Sequence, residues 1–160
     1  MKTAIRYFFI TGLLVPVLSS CSSTEEEKIS EIKVEATDLS DCLTNKSAMS
    51  DSDTIYEKII IEAIGDNHYT ISHENATFNC CLSEGVDVSV TYSDDTIFFS
   101  EAEVVPGVCN CSCRYNLNVE VSGVADGNYV LCMKKEGLLH FTVQVEMNKD
   151  TYIEEIISEQ

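Results

Sequence analysis

The residues with the most evident chemistry in this 160-residue chain are its eight cysteines. Five of them lie in two clusters, Cys80-Cys81 and Cys109-x-Cys111-x-Cys113, and the other three are Cys21, Cys42 and Cys132. Clustered thiols form disulfides in an oxidising compartment, or bind soft metal ions as thiolates. Which chemistry applies depends on the strands that carry the clusters and on whether the chain is exported.

The strand pattern limits which cysteines can pair. Leu117, Val119 and Val121 alternate with polar residues, and the same alternation continued backward places the three cysteines of the second cluster on one face. Side chains two apart on a strand project in parallel, and adjacent Cys80 and Cys81 point to opposite faces, so bridges within a cluster are disfavoured. We therefore expect bridges between the clusters. The disulfide candidates are Cys80, Cys81, Cys109, Cys111, Cys113 and Cys132.

Cys42 is predicted to be the free thiol. Cys21 belongs to the N-terminal segment and is set aside from the count of pairing cysteines. The seven that remain are an odd number, so at least one has no partner in the chain. Cys42 lies in a polar stretch, residues 39–53, that reads as a loop between early strands.

A metal site is the alternative for the same clusters. Structural zinc sites usually space their cysteines as C-x₂₋₄-C, which neither cluster matches, and the nearest histidine in sequence is His73. The chain also lacks a C-x-x-C redox pair. Disulfides are favoured, and thiols that bind a metal, act in redox chemistry or pack as small hydrophobes remain the alternatives. We assign no metal ligand and no cofactor from the sequence.

The histidines and carboxylates give no catalytic pattern. His68 and His73 span a turn and a strand without the helical spacing of a metalloprotease pair, and His140 falls on the polar face of an alternating strand. No G-x-S-x-G motif and no phosphate-binding glycine loop is present. The sequence therefore predicts a protein that is not an enzyme, with no catalytic residue.

The first twenty residues differ in kind from the rest. Lys2 and Arg6 precede an uncharged apolar run, residues 7–18, which is shorter than the ~20 residues needed to span a bilayer as a helix. The run leads into Leu18-Ser19-Ser20-Cys21, which resembles the lipobox of bacterial lipoproteins. The resemblance implies a signal peptide over residues 1–20 and a lipidated, palmitate-bearing Cys21. Several acyl chains on one residue would give stable anchoring.

The residues after Cys21 predict where in the cell envelope the protein is located. Residues 22–27 (SSTEEE) form a polar, acidic tether, so that residues 21–28 comprise the lipidated cysteine and its linker. This stretch resembles the export signal of Bacteroidota-type surface lipoproteins, although its acids begin slightly later than in that pattern. The chain as a whole resembles small outer-membrane lipoproteins of such bacteria. The resemblance implies an outer-membrane location at the cell surface, and it brings no known activity.

Charge excludes one class of partner. The net charge is −17, and cleavage after residue 20 would remove two basic residues and no acid. Such an acidic domain is repelled by nucleic acid, so we expect no nucleic-acid binding, and membrane attachment only through the lipid on Cys21.

The remaining chain, residues 29–160, has the length and pattern of a single all-β domain. Alternating rows such as residues 86–92, 116–122 and 139–147 are separated by turn signals, as in an antiparallel β-sandwich. The stretch 124–129 resembles the turn of immunoglobulin-like sandwiches in which a tyrosine hydroxyl, here that of Tyr129, bonds back to the backbone. At the C-terminus, Thr151-x-x-Glu154 matches a capping box and predicts a short helix, with a frayed tail as the alternative.

The functional prediction follows from the anchor and the fold. We expect a non-enzymatic binding or accessory module at the outer membrane, with a glycan, a peptide or an envelope protein as partner. That prediction requires an exposed aromatic or apolar patch. The alternative is a thiol-dependent metal-binding or redox protein that uses the two cysteine clusters. The oligomeric state does not follow from the sequence.

Overall fold

The computed structural model describes residues 32–43, 55–82, 84–104 and 109–159. The predicted signal peptide, the lipidated Cys21 and the acidic tether lie outside these residues. Within them the chain forms nine strands: β1 (Lys33–Leu39), β2 (Tyr56–Gly65), β3 (His68–Asn79), β4 (Val86–Ser93), β5 (Thr96–Glu103), β6 (Ser112–Ser122), β7 (Gly127–Lys135), β8 (Leu138–Met147) and β9 (Tyr152–Glu159). No helix in the described residues has the length and hydropathy to cross a membrane.

The strands form two sheets that pack as the predicted sandwich. One sheet has the order β1-β6-β3-β2-β9 and is antiparallel throughout. The other has the order β4-β5-β7-β8 and is mixed, because β5 and β7 run parallel, with Thr96 opposite Val130. β1 packs against β4, and the other two edge strands are β8 and β9.

The core is built from the inward rows that the alternation predicts. On β6 the buried residues are Tyr115, Leu117, Val119 and Val121, and the residues between them are at least partly exposed. Val145 and Met147 on β8 are buried in the same way. Each row turns apolar side chains toward the facing sheet, and the hydrophobic effect on this buried surface is the main driving force for folding.

The Tyr129 hydroxyl bonds back to the backbone, as the sequence predicts. Its hydroxyl donates to the carbonyl oxygen of Ala125 at 2.9 Å, across the turn that leads into β7. Gly127 lies under the ring, since a Cβ at that position would come within 3.3 Å of the Tyr129 hydroxyl. The turn therefore needs a residue without a bulky side chain at this point.

The predicted C-terminal helix is wrong: residues 152–159 form the edge strand β9, which pairs with β2. Ile153 and Ile157 pack against the core from this strand, and a four-residue spacing fits one face of either a helix or a strand. The Thr151 hydroxyl bonds within the tight turn after β8, donating to the Glu146 carbonyl at 2.9 Å. The open edge of β2 and the β-branched isoleucines favour the strand.

Candidate functional site

Three disulfides close one end of the sandwich. Cys80–Cys111 and Cys81–Cys109 join the end of β3 to the segment before β6, with Cα–Cα distances of 5.6 Å and 5.8 Å. These two bridges confirm the prediction that the clusters pair with each other. The third bridge, Cys42–Cys113, joins the end of β1 to β6.

Two cysteine assignments made from the sequence are corrected by this pairing. Cys42 was predicted to be free, but the chain after β1 continues beside β6, where the amide of Leu43 donates to the Arg114 carbonyl at 2.8 Å. This position brings Cys42 to Cys113. Cys132 was a disulfide candidate, but it is the free cysteine of the described residues. It lies between the inward-facing Leu131 and Met133 and so points away from the core.

The pairing weakens the thiol-based alternative. Cys80, Cys81 and Cys109 have sulfur atoms close enough to share a metal ion, but all three are disulfide-bonded here. A disulfide sulfur lacks the thiolate that binds a metal.

A buried group of ionisable residues lies next to the disulfide end. His73 has a fully buried side chain and stands between two carboxylates. Its Nδ1 lies 3.0 Å from both carboxylate oxygens of Glu101, and its Nε2 lies 2.8 Å from Oε1 of Glu57. A fourth residue, His140, places its Nε2 3.0 Å from the same Glu57 oxygen. We call these four residues the His–Glu cluster.

Three members of the cluster extend the apolar rows of the core. Glu57 precedes Ile59 and Ile61 on the inward face of β2, and Glu101 ends the buried row of β5. On β3 the buried row continues past His73 to Ala76 and Phe78. His73 follows Tyr69 and Ile71, and Glu101 follows Ile97 and Phe99. The three polar residues of these rows meet in the interior of the sandwich. Once Ile59, Ile71 and Phe99 are known to face inward, the two-residue period of a strand places all three residues inward as well.

Irregular pairing shapes the cluster on both sheets. On β3 the register slips directly after His73, and Asn75 adopts a left-handed φ of 56°. On β8 the partners of Met133 and Lys134 are Phe141 and Leu139, so His140 is an extra, bulged residue. Bulges re-aim side chains, and this one turns His140 toward Glu57. His140 is exposed, as its place on the polar face predicts, but it also makes a contact with Glu57 that the alternation does not predict.

The charges of the cluster act mainly on His73. Burial by itself lowers the pKa of His73, but the hydrogen bonds and negative charges of Glu101 and Glu57 outweigh it, so the pKa lies above the ordinary value of 6.5. The protonated ring can donate from both nitrogens, one to each carboxylate. With the His73 ring protonated, the cluster is a buried ion-pair network in which both carboxylates face the imidazolium.

The cluster reaches solvent at the β8 edge. The His140 side chain is 28% exposed, whereas those of Glu57 and His73 are nearly or fully buried. The residues directly before it, Leu138 and Leu139, are 74% and 66% exposed. The open side of the cluster is therefore bordered by an apolar surface.

Two surface hollows lie at the other end of the sandwich. One is lined by residues such as Asp95, Tyr129 and Glu146, and the other by residues of the turn between β8 and β9. Neither contains a histidine or a cysteine.

No protein-family model, no curated protein and no solved structure matches this chain. The function must be argued from the residues themselves.

Proposed function

We propose that this chain is an exported outer-membrane lipoprotein, anchored through Cys21, whose sandwich is a non-enzymatic binding module for an envelope protein. The observation that carries the binding role is the pair Leu138 and Leu139, which stand 74% and 66% exposed at the start of an edge strand. Adjacent exposed leucines on a small domain are typical of a surface that a partner covers.

The surroundings of the leucines extend this surface. β8 pairs with β7 alone among the described strands, so its outer backbone groups are available to an added strand. In the other sheet, Tyr56 on β2 and Ile156 on the edge strand β9 are 41% and 56% exposed. Each sheet thus presents exposed apolar side chains.

Composition favours a protein partner over a glycan. The chain has no tryptophan, the side chain that most often supplies a large flat platform, and the net charge of −17 attracts basic segments. An extended, basic protein segment that adds to β8 and covers the leucines fits these features best. The three disulfides support export, because such bonds persist in oxidising compartments.

The anchor and the binding surface are tested separately. Mass spectrometry of the membrane-extracted protein should find an N-terminal acylated peptide beginning at Cys21, and Cys21→Ser should release the chain from the membrane fraction. An unmodified Cys21 in a full-length chain would refute the anchor and leave the binding surface open to test.

For the surface, a photo-crosslinking residue at Leu139 should give one adduct of defined mass in intact cells. The same residue at Thr91, exposed on the opposite edge strand of the same sheet, should give none. Excess purified wild-type protein should suppress the adduct in isolated envelopes, whereas the Leu138→Ser/Leu139→Ser variant should not. Equal adducts at both positions would refute a specific surface.

A further inference from the structure

Two imidazole rings from facing sheets converge on one carboxylate oxygen. Oε1 of Glu57 lies 2.8 Å from Nε2 of His73 and 3.0 Å from Nε2 of His140. The rings are tilted by 49° with centroids 6.1 Å apart, so they approach the oxygen from different directions. Two nitrogens and one oxygen thus surround a common point.

We propose that Glu57, His73 and His140 form a binding site for a divalent transition metal ion of the zinc class, with Glu101 as the residue that positions His73. This site uses none of the cysteines, and its open side adjoins the partner surface at Leu139. It adds a metal-binding role to a chain whose sequence predicts none.

The geometry of the donors fits such an ion. The three ligand atoms all lie within 4.8 Å of one another. Atoms bound about 2.0–2.2 Å from a tetrahedral zinc ion lie roughly 3.3 Å apart, so small side-chain movements would admit the ion. Two imidazoles and one carboxylate leave a fourth position open, as in zinc sites that bind water or a substrate.

The contact behind His73 matches the support that metal-binding histidines usually have. Such a histidine commonly donates its other ring N–H to a carboxylate, which fixes the tautomer and the ring orientation. Here Nδ1 of His73 lies 3.0 Å from both oxygens of Glu101, and the Glu101 side chain is fully buried. With Nδ1 donating to Glu101, Nε2 presents its lone pair toward Glu57 and His140.

Charge favours the ion as well. The side chains of Glu57 and Glu101 are 5% and 0% exposed, and a buried carboxylate is costly unless it is paired. One imidazolium on His73 compensates a single negative charge. A divalent cation would compensate both carboxylates and would leave the two imidazoles neutral, the form in which they bind metals.

The donor set selects the class of ion. Imidazole nitrogen suits zinc, copper, nickel and iron, whereas Ca²⁺ takes six to eight oxygen ligands. The two nitrogens come from His140 on the bulged edge strand β8 and from His73 on the inner strand β3. His140, with its 28% exposed side chain, provides the access from solvent.

Zn²⁺ alone is the probe for the test. The full, disulfide-bonded chain carrying Cys21→Ser is stripped with a chelator and titrated with Zn²⁺ by competition against a chromophoric indicator, with Ca²⁺ in parallel. We expect one Zn²⁺ per chain, no competition by Ca²⁺, and at least a tenfold loss of affinity in His140→Ala. His68→Ala, which removes a histidine outside the cluster, and Cys132→Ser, which removes the free thiol, should bind Zn²⁺ as the parent does.

X-ray absorption at the zinc edge separates this site from a thiol site. The proposal requires nitrogen and oxygen neighbours and no sulfur. Zinc–sulfur distances, equal affinities of His140→Ala and the parent, or no binding above the chelator background would each overturn it. Circular dichroism confirms that the variants fold. Should His140→Ala fail to fold, Glu101→Gln replaces it, with an expected 10- to 100-fold loss of affinity and altered imidazole scattering in the absorption spectrum.

Discussion

The side chains of Glu57 and His140 meet across the sandwich, with Oε1 of the first 3.0 Å from Nε2 of the second, although 83 residues separate them in the chain. Glu57 belongs to β2 of the five-stranded sheet and His140 to β8 of the four-stranded sheet. Their contact joins β8, an edge strand of one sheet, to β2, which lies next to the edge strand β9 of the other sheet. It also completes a cluster in which His73 holds the buried centre.

The raised pKa of His73 predicts a stability that falls with rising pH in the metal-free protein. A histidine whose pKa is higher in the folded state contributes its full stabilisation at pH values below its unfolded-state pKa of about 6.5. That stabilisation is lost as the pH rises through the folded-state pKa. The groups facing His73 are Glu57, Glu101 and His140. Urea unfolding of Cys132→Ser with a chelator, from about pH 6 upward, measures the effect.

The control for this pH dependence is His73→Gln in the same background, whose free energy of unfolding should vary less over the same range. If the free energy of unfolding of the Cys132→Ser protein stays constant or increases from about pH 6.5 to about pH 8.5, the raised pKa of His73 is contradicted.

Removing the imidazole alone should destabilise the fold strongly. His73→Leu leaves the carboxylates of Glu57 and Glu101 buried without their shared partner, which costs about 3–5 kcal/mol for a broken buried pair. The triple variant Glu57→Met/His73→Leu/Glu101→Met replaces the whole network with apolar side chains and should recover most of that loss. Chemical denaturation of the three proteins with a chelator present measures this difference. If the single and triple variants are equally stable, the two carboxylates are not held by His73.

The disulfide pattern predicts one reactive thiol in the chain without the lipid anchor. In the Cys21→Ser protein, a maleimide added under denaturing, non-reducing conditions should label Cys132 and no other cysteine. Non-reducing peptide mapping should recover a peptide linking Cys42 to Cys113. Label on Cys42 would restore the assignment made from the sequence.

The same bridge should contribute measurably to stability. Cys42–Cys113 spans 71 residues, and the loop-entropy relation assigns about 4 kcal/mol to a loop of that size. The double variant Cys42→Ser/Cys113→Ser should lose about that amount in urea unfolding. Cys132→Ser is the matched control and should change the free energy of unfolding by less than about 0.5 kcal/mol.

Much of the fold could be predicted because the strands alternate cleanly. The rows around Leu117 and Val145 fixed which faces are buried, and turn residues marked where most strands end. The last strand could not be assigned in this way, since Ile153 and Ile157 share a face in either a helix or a strand. The segment forms a strand because it pairs with β2. This pairing joins residues far apart in the chain, so it depends on the tertiary structure and not on the local sequence.

The site was harder to predict than the fold. The two-residue period places Glu57, His73 and Glu101 inside only when the buried face of each strand is known, because β2 and β5 carry apolar residues on both faces. Their convergence depends on which strands face each other. The turn of His140 toward them depends on a bulge, which alternation does not reveal. Cys42 was misassigned for a related reason, since its partner follows from the register of β1 on β6.

The hydrogen bond from the Tyr129 hydroxyl to the Ala125 carbonyl should contribute about 1 kcal/mol to the free energy of unfolding. Tyr129→Phe removes the hydroxyl that donates to the Ala125 carbonyl and leaves the ring in place, and one neutral hydrogen bond contributes about 0.5–1.5 kcal/mol net. Tyr152→Phe is the control, because Tyr152 is 61% exposed and its hydroxyl reaches only the exposed Glu154. Thermal unfolding of both variants against the parent measures the difference. Equal melting temperatures for the two variants would show that the Tyr129 hydrogen bond does not stabilise the fold.

Zinc should stabilise the folded chain by an amount that grows with the logarithm of its concentration above the dissociation constant. A ligand that binds only the folded state at 100 times its dissociation constant adds about 2.7 kcal/mol, so the melting temperature of the Cys21→Ser protein should rise with Zn²⁺ and return after chelation. His140→Ala should show little shift at the same zinc concentration, because it lacks one of the three ligands. His68→Ala should shift as the parent does. A zinc-induced rise of the same size in His140→Ala would locate the bound ion away from Glu57 and His73.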